Sequence, residues 1–339
     1  MFKRFRVRPG ASPVGAQACC LAGLVLLLLW TPAAQAQSCW LRDAVSPAPS
    51  TAYLLCEQGR IWATVDGGAT WSARNTGAPE RLRAITFLDA QRGFAIGNRG
   101  VLLATADGGR TWQPRPSGGT QHLLDITFAG DSGWIAGYSG LILHSTDAGR
   151  TWTKQTTGTT QALENIFFLD QDHGWTVGWA GTILRTTDGG KTWTQSKSDA
   201  ARWSMTGVYF RDAKNGWAVG FAGQILRSRD GGLTWEPQTS PVKGTLNAVA
   251  FDSSNRGWIT YDDGFLLSED GGENWKPVKT AGRFFLGKLI AVDNSLWTIG
   301  QSVALKQTGT EWKKIDSLVP NRTAPDSTSK NPPAAPPTQ

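Results

Sequence analysis

One short string recurs along this chain at nearly constant spacing, and it restricts the fold more than any other feature. Asp-Gly-Gly-x-Thr-Trp, or a close variant, starts at Asp66, Asp107, Asp147, Asp188, Asp230 and Asp270, and a degenerate copy ends at Trp312. The terminal Trp residues fall at 71, 112, 152, 193, 235, 275 and 312, a period of about 40 residues. A second aromatic keeps phase with them: Tyr53, Phe94, Trp134, Trp175, Trp217, Trp258 and Trp297. In five of the seven repeats it stands 18 residues before the box Trp. Self-similarity of this kind means one supersecondary unit used seven times.

The unit reads as four short strands. In the fifth repeat, 206–210, 217–220, 224–228 and 235–238 are apolar or β-branched runs, separated by Gly, Asn and Asp turn residues. These are strands a to d of one antiparallel sheet. Forty Gly, two Met and 18 % charged residues suit turn-separated strands better than helices. No helical period appears, and solenoid units would be shorter or helical. The fold expected is therefore all-β: a seven-bladed β-propeller of four-stranded antiparallel blades over 37–319. The paired aromatics of strands b and d are expected to fill the space between blades, and 39–45 to supply strand a of the first blade. A β-sandwich is the alternative.

The ends read differently. Lys3, Arg4, Arg6 and Arg8 precede a twelve-residue apolar run from Cys19 to Trp30, and Ala34-Gln35-Ala36 is a small-x-small cleavage site. Residues 1–36 are thus expected to be a signal peptide. The apolar run is too short to span a membrane, and the residues before Cys39 do not make a lipoprotein box. The mature chain is expected in the periplasm or secreted, without direct membrane insertion. Residues 320–339 are rich in Pro and poor in apolar side chains, as expected of a disordered tail.

Removing 1–36 takes away four basic residues and no acidic one, leaving 30 basic against 27 acidic residues, a net charge of +3 rather than +7. A balance so close to neutral argues against a nucleic-acid partner. Cys39 and Cys56 are then the only cysteines, and in an oxidising compartment a disulfide between them is expected.

The box resembles the Asp-box, or BNR repeat, of sialidases, sortilin-like receptors and some glucanases. That resemblance implies a folding element at the turn between strands c and d, in which the Asp accepts backbone N–H bonds, the glycines take positive φ and the Trp packs inward. Over about residues 40–318 the array resembles more closely the photosystem II assembly and stability factor family. The resemblance lies in Gly-Trp-Ala-Val-Gly at 216–220 followed by Gly-Gln-Ile-Leu-Arg-Ser from Gly223, and in Gly-Trp-Thr-Val-Gly at 174–178 followed by Gly-Thr-Ile-Leu-Arg-Thr from Gly181. It implies an exported, seven-bladed, non-enzymatic binder of a membrane-protein subunit that works through a basic patch.

Catalysis finds little support in the residues. A working site needs unlike groups converging on one point, whereas the six box aspartates are spread around a ring. A sialidase would need an arginine triad, a Tyr with a Glu partner and an Asp acid; four tyrosines exist, and Tyr53 already fills the repeat's aromatic position. Asp262-Asp263 is the one adjacent carboxylate pair expected in a loop outside the boxes. A glycosidase or glycan-binding protein of the Asp-box class is the alternative function. His122, His144 and His173 lack metal-ligand spacing, and no nucleotide, phosphate or nucleophile-elbow motif occurs. No cofactor or metal is expected.

Binding has positive content. With the boxes at c–d turns on one face, the b–c hairpins and d–a connections lie on the other. That face collects Arg81, Arg83, Arg99, His122, Tyr138, Trp179, Arg202, Trp203, Phe221, Lys243, Arg283 and Phe284, with fewer acids, chiefly Glu80, Asp262 and Asp263. Arg and exposed aromatics dominate protein interfaces. The expected partner is a protein, such as a segment of a membrane-protein complex, bound by a monomer. Arg110, Arg150 and Lys191 sit in the box turns, where they serve solubility.

Overall fold

The computed structural model describes residues 40–56, 58–198, 201–278, 285–292, 295–300 and 303–315. The expected signal peptide, Cys39, Arg283, Phe284 and the expected tail lie outside the described residues.

Among the described residues, twenty-eight strands form seven separate four-stranded antiparallel sheets, each built from four consecutive strands. These are the blades, spanning 41–75, 82–114, 123–155, 163–195, 205–238, 246–278 and 286–314. Among the described residues the only helical segments are three single 3-10 turns, and none is long or apolar enough to cross a membrane. In blade 5 the strands are Met205–Phe210, Gly216–Gly220, Ile225–Ser228 and Glu236–Gln238, within a residue of the sequence reading. Strand a of blade 1 is Leu41–Ala48, overlapping the segment expected there. It packs beside blade 7, where Ala44 and Leu54 share a buried cluster with Ile299 and Ala304. Among the described residues the ring therefore closes by side-chain packing, with no strand exchanged between the first and last blades.

The strand-b aromatics lie at the centre of each inter-blade layer. Trp134, Trp175, Trp217, Trp258 and Trp297 are each at most 1 % exposed. Their partners differ from the expected pairing in one respect. The strand-b ring of one blade meets the box Trp of the next blade through a third ring, a Phe on the next blade's strand a. Trp175 stacks on Phe210 at 3.5 Å, and Phe210 meets Trp235 edge-on at 5.6 Å. Trp134, Phe168 and Trp193 repeat this, as do Tyr53, Phe87 and Trp112. Such pairs contribute beyond the area they bury, about 0.5–1.5 kcal/mol each. Blade 7 has no strand-a Phe, and there Phe265 of blade 6 stacks on Trp312 at 4.2 Å.

The same aromatic also latches the next blade's box. Trp134 Nε1 donates to Gly189 O (2.9 Å), Trp175 Nε1 to Gly231 O (2.9 Å), Trp217 Nε1 to Gly272 O (3.0 Å) and the Tyr53 hydroxyl to Gly108 O (3.1 Å). Phe94 cannot donate. Trp258 Nε1 turns to Asp252 instead, and Trp297 Nε1 is buried with no partner among the described residues.

Candidate functional site

The boxes are turns held by their own aspartates. Asp188 Oδ1 accepts from Thr192 N (2.9 Å) and from the Thr186 hydroxyl (2.7 Å), and Oδ2 accepts from the Thr192 hydroxyl (2.6 Å). Asp66, Asp107, Asp147, Asp230 and Asp270 repeat the arrangement, with Asn274 in place of the Thr beside Asp270. The hydroxyl and amide of Thr70 hold Asp66 at about 2, below the ordinary aspartate value. At Asp188 burial opposes this, and the Thr192 hydroxyl and amide still bring it to about 2. Both box glycines take positive φ, 71° and 87° at Gly189 and Gly190, a region closed to most side chains. The carboxylates are spent on the turn and do not converge. Arg110 and Arg150 project from these turns and are exposed.

Backbone hydrogen bonds define two faces. On one, a–b turns tie to boxes, as Gly108 N donates to Gln91 O and Gly189 N to Asp172 O. On the other, b–c hairpins tie to d–a connections: Asn98 N donates to Arg81 O, Tyr138 N to His122 O, Trp179 N to Ala162 O and Phe221 N to Ser204 O. The structure thus places Arg81, Arg83, Arg99, His122, Tyr138, Trp179, Arg202, Trp203, Phe221 and Lys243 on this second, loop face; Arg283 and Phe284 lie outside the described residues.

The loop-face residues are not all alike. His122, Tyr138 and Trp179 form a continuous row, with ring centroids 5.0 and 5.7 Å apart, crossing from blade 3 to blade 4. Trp179, Trp203 and Phe221 are 45 %, 55 % and 46 % exposed, unusual for large apolar side chains. Arg99 is exposed and reaches Glu80 at 3.4 Å. Arg202 and Lys243 are exposed. Arg83 is partly buried, held by Asn98 (3.2 Å), and turns toward the channel. Asp262 lies 3.5 Å from the Asn247 amide at the blade 6 hairpin.

Two residues escaped the sequence reading. Glu164 accepts from Trp179 Nε1 at 2.6 Å, fixing the row to the rim of the central channel. Lys288 of blade 7 lies between Asp43 of blade 1 (3.0 Å) and Asp125 of blade 3 (3.2 Å), tying blade 3 to two blades that are not its neighbours. Burial alone would depress the Lys288 ammonium, but Asp125 and Asp43 outweigh it and hold it above the ordinary lysine value. Asp43 is pushed up, because burial outweighs the attraction of Lys288. These groups line a central cavity of about 550 Å³ to which every blade contributes its strand a.

His144 stacks on Trp134 at 5.0 Å, and His173 bonds Asp170 at 2.9 Å. Among the described residues no three His, Cys, Asp or Glu side chains come together as a metal site. Cys56 is buried and disulfide-bonded.

Seven closed blades with Asp-box turns define the class: an Asp-box β-propeller. The family model described as photosynthesis system II assembly factor YCF48 matches residues 78–159, 152–204 and 200–285. Together these make up more than half of the chain, which belongs to that family. No curated protein sequence matches it. Among solved structures it is similar to a YCF48 bound to a D1 peptide, at 24 % identity over 70 % of this chain and 82 % of the other, with a TM-score of 0.57. It is also similar to YCF48 from Cyanidioschyzon merolae, at 18 % identity over 79 % and 95 %, with a TM-score of 0.67. An ancestral GH74 enzyme shares the fold at 14 % identity and a TM-score of 0.63, with 82 % of this chain covering 46 % of that one.

Proposed function

We propose that this chain is an exported, non-enzymatic assembly factor that captures a segment of a membrane-protein subunit on its loop face. The observation that carries this reading is the aromatic row His122–Tyr138–Trp179, extended on the same face by exposed Trp203 and Phe221 and accompanied by Arg99 and Arg202. Rigid aromatics with few rotamers supply contact area at low entropic cost, and the arginines supply charge that orients an acidic segment. A YCF48 relative has been solved with a D1 peptide, which supports a peptide segment as the class of ligand. The basic start, apolar run and Ala34-Gln35-Ala36 support export.

The test is fluorescence anisotropy with a labelled D1 peptide and the mature chain. Arg99→Glu with Arg202→Glu weakens capture about tenfold or more, since losing a desolvated charge contact costs about 2 kcal/mol or more. Arg110→Glu with Arg150→Glu, on the box face, leaves it unchanged. Equal losses from the two double variants contradict the assignment of the face.

A further inference from the structure

We propose that the central cavity is a binding site for a small neutral molecule carrying an aromatic ring and an amide carbonyl, a ligand distinct from the protein segment assigned to the loop face. The argument starts from the inner edge of each blade. Strand a is innermost, so one of its edges has no neighbouring strand and turns N–H groups toward the lumen. A bulge near the start of each strand a sets which side chain follows. In blades 1, 3 and 4 the residue after the bulge is Asp43, Asp125 or Asn165, and its side chain serves the next blade's edge. Asp43 Oδ2 accepts from Ile85 N (2.8 Å), Asp125 Oδ2 from Ile166 N (3.0 Å) and Asn165 Oδ1 from Val208 N (3.0 Å).

The same position is Ala84 in blade 2, Gly207 in blade 5 and Ala248 in blade 6, none of which carries an acceptor. Of these, Gly207 is the one whose neighbour's edge lies beside aromatic rings. A Cβ there would lie 3.2 Å from Asn247 O and 3.3 Å from Ala248 Cα, so the position aims at blade 6 as its counterparts aim at theirs. Val249 N–H, the counterpart of the three that are served, receives no acceptor from blade 5 and borders the cavity. Beside it runs an aromatic wall: Phe167 and Tyr209 are 5.4 Å apart, and Tyr209 and Phe251 are 5.6 Å apart. The opposite wall holds charge already committed. Lys288 is shared between Asp43 and Asp125, whose oxygens also accept from Ala44 N, Ile85 N, Asn165 Nδ2 and Ile166 N. On that wall a charged ligand gains no unoccupied counter-charge and gives up its hydration; Arg83, held by the neutral Asn98, lines the cavity at the loop-face end of its strand. An amide oxygen at Val249 N–H repeats what the Asn165 amide does for Val208, with the ring against Tyr209. A cavity of about 550 Å³ falls within the range of small-molecule sites.

The probe is N-acetylphenylalaninamide, titrated by ligand-observed NMR against the mature chain, with phenylacetate and phenethylammonium as charged comparators. Saturable binding of the amide, at least fivefold tighter than either comparator, is expected. Gly207→Asn supplies the missing acceptor from within the chain and weakens the probe at least tenfold with thermal stability kept. Tyr209→Leu removes the wall, weakens the probe similarly, and decides the matter alone if the glycine variant misfolds. Arg110→Glu has no effect. Absence of saturable binding, equal binding of the charged comparators, or unchanged affinity in the folded variants would overturn the proposal.

Discussion

Trp175 tests how the blades are joined, because its two contributions can be removed separately. The indole is 1 % exposed, lies flat on Phe210 at 3.5 Å, and donates Nε1 to Gly231 O at 2.9 Å. Trp175→Phe keeps a ring in the stack and removes the donor. Gly231 O keeps Arg185 Nη1 at 3.3 Å, so the carbonyl is not orphaned, and the loss is that of one net hydrogen bond plus a small void, about 1–2 kcal/mol. Trp175→Ala removes the stack as well and costs about 3–5 kcal/mol. Urea unfolding followed by far-UV circular dichroism gives both values from the midpoint shift at constant slope. A Trp175→Ala loss below about 1 kcal/mol, or a Phe variant as costly as the Ala variant, would refute the three-ring layer as the source of inter-blade stability.

Three further outcomes are expected. Asp188→Ala lowers thermal stability by the loss of turn hydrogen bonds, about 1–3 kcal/mol, without affecting peptide capture. The box carboxylates titrate below the ordinary value, so their stabilisation is complete above about pH 4 and declines as pH falls toward 2, and the Asp188→Ala deficit narrows over that window in acid titrations. Lys288→Met strands Asp43 and Asp125 and costs about 3–5 kcal/mol. That loss shrinks as pH falls, because Asp43, already pushed up by burial, takes up a proton in the folded state; a pH-independent loss would argue against the strut. Non-reduced peptide mapping of the mature chain should yield a Cys39–Cys56 linked peptide, and quantitative alkylation of Cys56 without reductant would refute it.

The blade count, strand order and the two faces were legible because a period of about 40 residues and strict antiparallel alternation leave little freedom. The strand-a Phe was not recognised, although the signal is present: Phe87, Phe168, Phe210 and Phe251 each stand seven residues before the strand-b aromatic, and Phe128 stands six before Trp134. The box Trp drew attention instead. Lys288 and its carboxylates could not be found this way. The bulge in each strand a breaks the alternation that tells inward from outward, and Lys288 meets a partner 163 positions away. Likewise, antiparallel order assigns His122, Tyr138 and Trp179 to one face, but only the packing of adjacent blades brings the Tyr138 and Trp179 rings together.

The loop-face account meets its most direct test in hydrogen exchange of the mature chain with and without a saturating D1 peptide. Bound peptide should slow exchange in the b–c hairpins and d–a connections around 98–101, 119–122, 138–141, 179–182, 202–204 and 221–224, and leave the box turns at 107–111, 147–151 and 188–192 unchanged. Protection confined to the box turns, or capture with no protection on the loop face, would contradict it.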